Sequence, residues 1–140
     1  MTTVEQLLKK KGSQVWSVSP TTSIIAALRL LAEKDIGALL VMDGERMVGI
    51  LSERDFARSI ARTSICNLDL PVDQMMTREV ITITPDQQIN ACMQLMTEKK
   101  IRHLPVMENG VLVGIISIGD VVKEIITSQE SSIEFLRQIC

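Results

Sequence analysis

The sequence predicts a mixed α/β (α+β) fold, built from two tandem copies of one β-α-β-β-α unit. Two observations lead to this prediction. Shifting the 140-residue chain against itself aligns residues 15–62 with 80–127 without a gap, and about a third of the aligned pairs are identical. Each copy also ends in the same pattern, in which a glycine and two apolar residues precede a serine and, three positions later, an aspartate. One supersecondary unit therefore occurs twice.

The first copy contains a strand, a helix, a hairpin and a second helix. Pro20 ends the first strand, because proline cannot donate to a sheet ladder. The apolar residues that follow recur at the three- and four-residue spacing of an amphipathic helix. Asp43 and Gly44 form a turn between two apolar runs, which indicates a hairpin. The expected elements are a strand at 15–18, a helix at 22–34, strands at 37–42 and 46–51, and a helix at 52–62.

The second copy repeats this order. We expect a strand at 80–83, a helix at 86–99, strands at 104–107 and 111–116, and a helix at 117–127. A connector with a short helical turn is expected at 63–77, and short helices at 4–10 and 132–139 cover exposed apolar surface. Neither copy can bury its sheet alone, so the two copies are expected to pack with pseudo-two-fold symmetry.

Composition and charge exclude several classes of protein. Apolar residues make up 46% of the chain and charged residues 23%, which is typical of a folded domain. The net charge of −2 and the 2% of aromatic residues argue against nucleic-acid binding. No apolar stretch is long enough for a membrane span and no secretory signal is visible, so we expect a cytoplasmic protein. Three cysteines without metal-like spacing indicate free thiols in a reducing compartment; these are Cys66, Cys92 and Cys140.

The sequence gives no support for an enzyme. Its single histidine, His103, cannot be placed beside a nucleophile by its position in the sequence. The chain has no zinc-ligand spacing, no phosphate-binding Walker loop and no Gly-x-Gly-x-x-Gly after a first strand. We therefore predict no catalytic residues, no metal and no required cofactor.

The repeated terminal pattern can bind a sugar phosphate. Ser52 and Ser117 each stand where a strand enters a helix, so free backbone N–H groups and the positive end of the helix dipole can hold an anion. Asp55 and Asp120 lie in the first helical turn, where a carboxylate can accept two hydroxyl hydrogen bonds from a ribose. The alternative interpretation is a capping box, Ser-x-x-Asp, with no ligand.

Together these motifs resemble a CBS-domain pair, or Bateman module, of the stand-alone bacterial type. The resemblance rests on both Gly-apolar-x-Ser-x-x-Asp patterns, on Ile101-Arg102-His103-Leu104-Pro105-Val106, and on Val72-x-x-Met75-Met76-Thr77 between the repeats. It divides the chain into an N-terminal helical segment (1–14), CBS repeat 1 (15–62), a linker (63–79), CBS repeat 2 (80–127) and a C-terminal helical tail (128–140). The resemblance implies a homodimer that binds AMP, ADP, ATP, NAD or S-adenosylmethionine in clefts between the repeats.

The resemblance also implies roles for particular residues. The aspartate holds the ribose hydroxyls, the serine contacts the ribose or phosphate, and the apolar residue after the glycine packs on adenine. One cleft is expected to contain Ile50, Ser52, Arg54 and Asp55, completed by Thr84, Arg102 and His103 from the other repeat. The other is expected to contain Ile115, Ser117 and Asp120, completed by Ser19, Gly37 and Ala38.

The two clefts differ in charge under this assignment. Arg54, Arg102 and His103 can bind a phosphate in the Asp55 cleft. The Asp120 cleft is expected to keep the ribose contact but to lack cations, so we expect the Asp55 cleft to bind a phosphorylated nucleotide more tightly. The predicted function is a regulatory energy sensor that acts on a protein partner; the alternative is a ligand-free dimerisation or scaffolding module. The sequence does not identify the nucleotide or the partner.

Overall fold

The fold is a mixed α+β structure, as predicted. The computed structural model describes residues 2–139, apart from the side chains of 130–132, 135 and 139, so Cys140 lies outside the described residues. The elements in chain order are α1 (Val4–Lys11), β1 (Ser17–Val18), α2 (Ile24–Lys34), β2 (Ala38–Asp43), β3 (Arg46–Ser52), α3 (Glu53–Thr63), a 3-10 turn (Val72–Gln74), α4 (Ile89–Lys99), β4 (His103–Glu108), β5 (Val111–Ser117) and α5 (Ile118–Ile139).

The chain forms two compact units, each built around one repeat. The first unit comprises residues 15–80, and the second comprises residues 1–14 together with 81–140. Each unit has its own apolar core. In the first unit the core includes Leu31, Leu39 and Leu51. In the second it includes Leu104 and Ile116, at positions equivalent to the last two of these.

The first unit contains a three-stranded sheet in the order β1-β2-β3. β1 runs parallel to β2, with Ser17 opposite Leu40, and β2 runs antiparallel to β3, with Ala38 opposite Ser52. The register shifts between Val41 and Met42. This hairpin brings the start of β2 next to the end of β3, where α3 begins.

The second unit repeats the hairpin but not the short first strand. His103 lies opposite Ser117, and the register shifts at the equivalent place, after Val106. The strand expected at 80–83 is wrong, because only Ile83 forms a bridge, to Val106. In the first unit the Leu40 N–H donates to the Trp16 carbonyl at 3.3 Å. The equivalent of Leu40 is Pro105, which has no N–H, so the ladder cannot extend.

Each unit also contains a short segment that lies outside the ungapped alignment of the two repeats. We call Val4–Leu8 leader 1 and Val72–Met76 leader 2, because each precedes a repeat in the chain. Leader 1 packs in the second unit and leader 2 in the first, and they make equivalent backbone bonds. These are Val4 N to Gln87 O at 2.9 Å and Glu5 N to Pro85 O at 2.9 Å in one unit, and Val72 N to Thr22 O at 2.8 Å and Asp73 N to Pro20 O at 3.2 Å in the other. The leaders are spaced farther apart than the repeats, so an ungapped alignment does not match them.

The leaders explain the glycine of the repeated motif. A Cβ atom added to Gly49 would lie 2.5 Å from the Met76 Sδ atom, and one added to Gly114 would lie 2.8 Å from the Leu8 Cδ2 atom. Neither glycine has a positive φ angle. Each glycine is therefore required because a leader side chain packs directly on the strand at that point.

The last helix is longer than expected. The sequence predicted one helix to about residue 127 and another at 132–139, but α5 runs without interruption from Ile118 to Ile139. No glycine or proline follows Gly119 within this range, so nothing in the sequence ends the helix. Within residues 2–139, no helix is both long enough and apolar enough to cross a lipid bilayer.

Candidate functional site

Both Ser-x-x-Asp motifs form capping boxes with matching geometry. In the first unit the Asp55 N–H donates to Ser52 Oγ at 3.1 Å, and the Ser52 N–H donates to Asp55 Oδ2 at 2.9 Å. The equivalent distances for Ser117 and Asp120 are 3.1 and 2.8 Å. The capping interpretation is confirmed as local structure. It does not exclude a ligand, because the cap bond in each motif uses only Oδ2 of the two carboxylate oxygens. This bond also fixes the carboxylate at the helix N-terminus.

The hairpin places further predicted residues beside each motif. In the first unit Ala38 is the pairing partner of Ser52, and the Glu53 N–H donates to the Gly37 carbonyl at 3.2 Å. In the second unit the same positions are His103 and Arg102, and the Ile118 N–H donates to the Arg102 carbonyl at 2.8 Å. The backbone thus joins Gly37 and Ala38 to the Asp55 motif, and Arg102 and His103 to the Asp120 motif. Their expected role in the opposite cleft stays a prediction.

Ser19 and Thr84 occupy equivalent exposed turns. The Ser19 hydroxyl lies 3.0 Å from Thr22 Oγ1 and 3.3 Å from Thr21 Oγ1. The Thr84 hydroxyl donates to the Asp86 carboxylate, and its N–H donates to Gln87 Oε1 at 3.0 Å. Each residue joins the first extended segment of its repeat to the helix that follows. Their contribution to a ligand site also stays a prediction.

The apolar residues of the motif differ in their backbone partners. Ile50 and Ile115 are both half-buried. Ile50 exchanges two backbone bonds with Thr77, at 3.0 and 2.9 Å. The Ile115 carbonyl instead accepts a hydrogen bond from Lys11 Nζ at 2.7 Å.

Lys11 is a residue of the Asp120 motif that the sequence analysis missed. Its Nζ atom lies 2.7 Å from Asp120 Oδ2, and the two side chains are 27% and 26% exposed. The expectation that this motif lacks cations is therefore wrong. Residues 9–11 were visible in the sequence as a basic helix end, but sequence spacing could not show which acid they would meet. Only the packing of α1 in the second unit brings Lys11 to Asp120.

The Lys11 contact changes the acidity of Asp120. Burial by itself would raise the pKa of this carboxyl, because it disfavours the charged form. The hydrogen bonds from Lys11 and Ser117, together with the charge of Lys11, outweigh burial and lower the pKa below its ordinary value. Asp120 is therefore a carboxylate held in its charged form. Arg54, by contrast, lies in the first turn of α3 next to Asp55, at the position that Gly119 occupies in the second unit.

Other features of the described residues do not form a competing site. No group of three His, Cys, Asp or Glu side chains among them could hold a metal ion. Cys92 is fully buried in the core, as expected, and burial raises the pKa of its thiol. Two cavities of about 210 and 350 Å³ lie in the second unit, but neither is lined by Ser117 or Asp120.

Comparison with known proteins identifies the repeat. The CBS domain profile matches residues 4–62 and 72–127, so each matched segment includes a leader and the repeat that follows it in the chain. The mitochondrial CBS domain-containing protein CBSX3 of Arabidopsis thaliana is 32% identical over 145 residues, covering 96% of this chain and 70% of CBSX3.

Solved structures agree with this match. A Burkholderia ambifaria protein with CBS domains is 44% identical, with a TM-score of 0.86 over 91% of this chain and 96% of that one. The CBS domain protein PAE2072 of Pyrobaculum aerophilum, solved in complex with AMP, is 26% identical, with a TM-score of 0.75 over 90% of this chain and 99% of that one. The chain therefore belongs to the CBS-domain family, and it contains two CBS repeats.

Proposed function

We propose that this protein is a regulatory module that binds an adenosine nucleotide at its Ser-x-x-Asp motifs. The observation that carries the proposal is the fixed carboxylate of each motif. Asp55 and Asp120 are both held by a capping bond to Oδ2, at the point where a strand enters a helix. A related CBS-domain protein has been solved with AMP, which supports an adenosine ligand.

Each part of the motif suits one part of such a ligand. A carboxylate fixed in advance can accept hydrogen bonds from the two ribose hydroxyls without losing side-chain entropy on binding. The N-terminus of α3 or α5 offers the positive end of a helix dipole to a phosphate. Ile50 and Ile115 are half-buried and offer apolar surface to adenine.

The finer features of the function belong to the same proposal. We expect AMP, ATP or NAD as the ligand, a homodimer as the assembly, and a protein partner that responds to ligand occupancy. A nucleotide can act as a signal only if its affinity differs between two conformations of the protein. We expect the Asp55 motif to bind more tightly, because Arg54 adds a cation at its helix N-terminus, whereas the cation at the other motif, Lys11, is already bound to Asp120.

Calorimetric titration of the purified protein with AMP, ATP, NAD and S-adenosylmethionine tests the proposal. Asp55→Asn and Asp120→Asn keep the side-chain shape but remove the charge that holds the ribose hydroxyls. We expect one of these ligands to bind the wild type, Asp55→Asn to weaken the tighter site at least tenfold, and the double variant to bind nothing. Arg46→Gln, an exposed change at the first residue of β3, at the opposite end of that strand from Ser52, is the matched control.

A second function would follow from the opposite result. If no ligand binds the wild type, or if the double variant binds as well as the wild type, the nucleotide proposal is wrong. The capping boxes would then serve the fold alone, and the protein would act as a dimerisation or scaffolding module. Light scattering would show the dimer that this alternative requires.

A further inference from the structure

The contact between Lys11 and the Asp120 motif occupies a carboxylate oxygen that the ribose of an adenosine ligand would use. Lys11 Nζ donates to Asp120 Oδ2 and to the Ile115 carbonyl, both at 2.7 Å. Asp120 is the proposed ribose acceptor, and Ile115 is the proposed adenine contact. One ammonium group therefore binds the proposed ribose acceptor and the backbone carbonyl of the residue whose side chain is proposed to contact adenine.

In the first unit the Ile50 carbonyl instead accepts the Thr77 N–H at 2.9 Å, and the difference lies in the leaders. Leader 1 and leader 2 match as far as Leu8 and Met76, whose side chains pack on equivalent glycines. Beyond this point α1 continues as a helix through Lys11, whereas the chain after Met76 pairs with Ile50 through Thr77. The added helical turn is what carries an ammonium group to the second unit's motif.

A neighbouring contact holds α1 in the position that Lys11 requires. Lys10 Nζ lies 2.9 Å from Glu124 Oε1, and Thr2 Oγ1 donates to the same oxygen at 3.2 Å. The Glu124 side chain is only 9% exposed, so the carboxylate of this pair is shielded from water, whereas the Lys10 side chain is 60% exposed. Val4, Leu7 and Leu8 are buried in the core of the second unit on the same helix. The backbone of α1 is thus fixed up to its last turn, which carries Lys11.

We propose that Lys11 is an internal competitor that occupies the Asp120 motif until an adenosine ligand displaces it. The inference rests on the proposed function. Asp120 Oδ2 already accepts hydrogen bonds from the Ser117 N–H and from Lys11 Nζ, so a pair of ribose hydroxyls that engages both carboxylate oxygens has to replace the second of these. The ligand therefore pays for breaking the Lys11 contact, which lowers the apparent affinity of this motif relative to a site with the same residues but without the lysine.

The competitor can be distinguished from a lysine that simply attracts phosphate. Adenosine has the ribose hydroxyls but no phosphate, so removing Lys11 should strengthen adenosine binding without an opposing loss of charge attraction. AMP has both, so removing Lys11 should strengthen its binding less. A lysine that only attracted phosphate would leave adenosine affinity unchanged and weaken AMP binding.

The test combines Lys11→Met with Asp55→Asn, which removes the first unit's motif so that only the Asp120 motif is titrated. We expect adenosine to bind this variant about five- to tenfold more tightly than Asp55→Asn alone, as suits the loss of a partly exposed ion pair and its hydrogen bonds. Lys9→Met is the matched control, because Lys9 lies on the same helix, is 75% exposed and pairs only weakly with Glu5 at 3.7 Å. It should change adenosine affinity less than twofold.

A second measurement needs no nucleotide. The carboxyl carbon of Asp120, observed by NMR, should titrate at higher pH in Lys11→Met than in the wild type or in Lys9→Met, which tests the contact itself. Equal titration curves would overturn the inference.

The outcomes separate this inference from the proposed function. If Lys11→Met in the Asp55→Asn background binds adenosine no better than its parent, or not at all, Lys11 is not a competitor. Titration of the wild type then decides the other question: AMP binding at the Asp55 motif keeps the proposed function, whereas no binding of any adenosine ligand removes it as well.

Discussion

At the scale of single residues, the two motif glycines allow each leader to pack closely on a strand. Gly49→Ala would bring a methyl group to 2.5 Å from Met76 Sδ and 3.0 Å from the Thr77 carbonyl oxygen, which is fixed backbone. Gly114→Ala would meet the Leu8 side chain, at 2.8 and 3.0 Å from its two methyl carbons, and no backbone atom is among the three nearest atoms. We expect the free energy of unfolding to fall by about 2 kcal/mol for Gly49→Ala and by about 1 kcal/mol for Gly114→Ala.

Urea denaturation measures both effects, and Gly119→Ala is the control. A Cβ atom at Gly119 would come no closer than 3.7 Å to Ser117 Oγ, and Gly119 lies in the first turn of α5. Alanine should therefore be neutral or stabilise the protein by about 0.5 kcal/mol. Equal destabilisation by all three substitutions would contradict the packing explanation.

Asp120 gives a residue-scale prediction about pH. Its pKa is lowered in the folded protein, so the stabilisation it provides is present above the ordinary aspartate pKa of about 4 and is lost as the pH falls through the lower folded value. The wild type should exceed Lys11→Met in stability by about 0.5 to 1 kcal/mol near pH 7, because the pair is partly exposed. Below about pH 4 the difference should shrink.

Urea denaturation at a series of pH values from 7 to 3 checks this prediction, with Lys9→Met as the control. A difference between wild type and Lys11→Met that stays constant down to pH 3 would show that Asp120 is not the partner whose charge matters.

At the scale of elements, the leaders are structural parts of the units in which they pack. Val4 and Val72 are both fully buried, at equivalent positions in leader 1 and leader 2. Val4→Ala and Val72→Ala should each lower the free energy of unfolding by about 2 kcal/mol, because each opens a cavity in a core. Val111→Ala, at a position that is 62% exposed, should change it by less than 0.5 kcal/mol.

Guanidinium denaturation of the three variants tests the role of the leaders. A small effect of Val4→Ala alone would mean that α1 contributes little to the second unit. A loss of about 2 kcal/mol would support a structural role for α1. Removing α1 should then expose apolar residues of the same core, including Ile89 and Val121.

At the scale of the whole molecule, ligand binding and folding are linked. A ligand that binds only the folded protein raises the free energy of unfolding by about 2.7 kcal/mol when its free concentration is 100 times its dissociation constant. We therefore expect AMP to shift the urea midpoint of the wild type upward and to leave Asp55→Asn/Asp120→Asn unchanged. A shift of equal size in the double variant would place the bound nucleotide away from both motifs.

Much of the architecture could be predicted from the sequence because it depends on local patterns. The hairpin turns at Gly44 and Gly110 and the helix caps at Ser52 and Ser117 follow from residues close together in the chain, and the internal repeat follows from comparing one stretch of the sequence with another. Whether the first strand of the second repeat forms could not be predicted in this way, because it depends on whether the neighbouring strand can donate a backbone hydrogen bond to it. Pro105 cannot, so only one bridge forms.

The sequence by itself determined the duplicated α+β unit, the motif that ends each copy and the family to which the chain belongs. The tertiary structure alone decided which unit each leader joins, why Gly49 and Gly114 must be glycines, and that Lys11 meets Asp120. The physical reason is that these contacts join residues far apart in the chain, and no local spacing encodes such a contact. A basic helix end looks solvated until the fold places a carboxylate and a carbonyl within 2.7 Å of it.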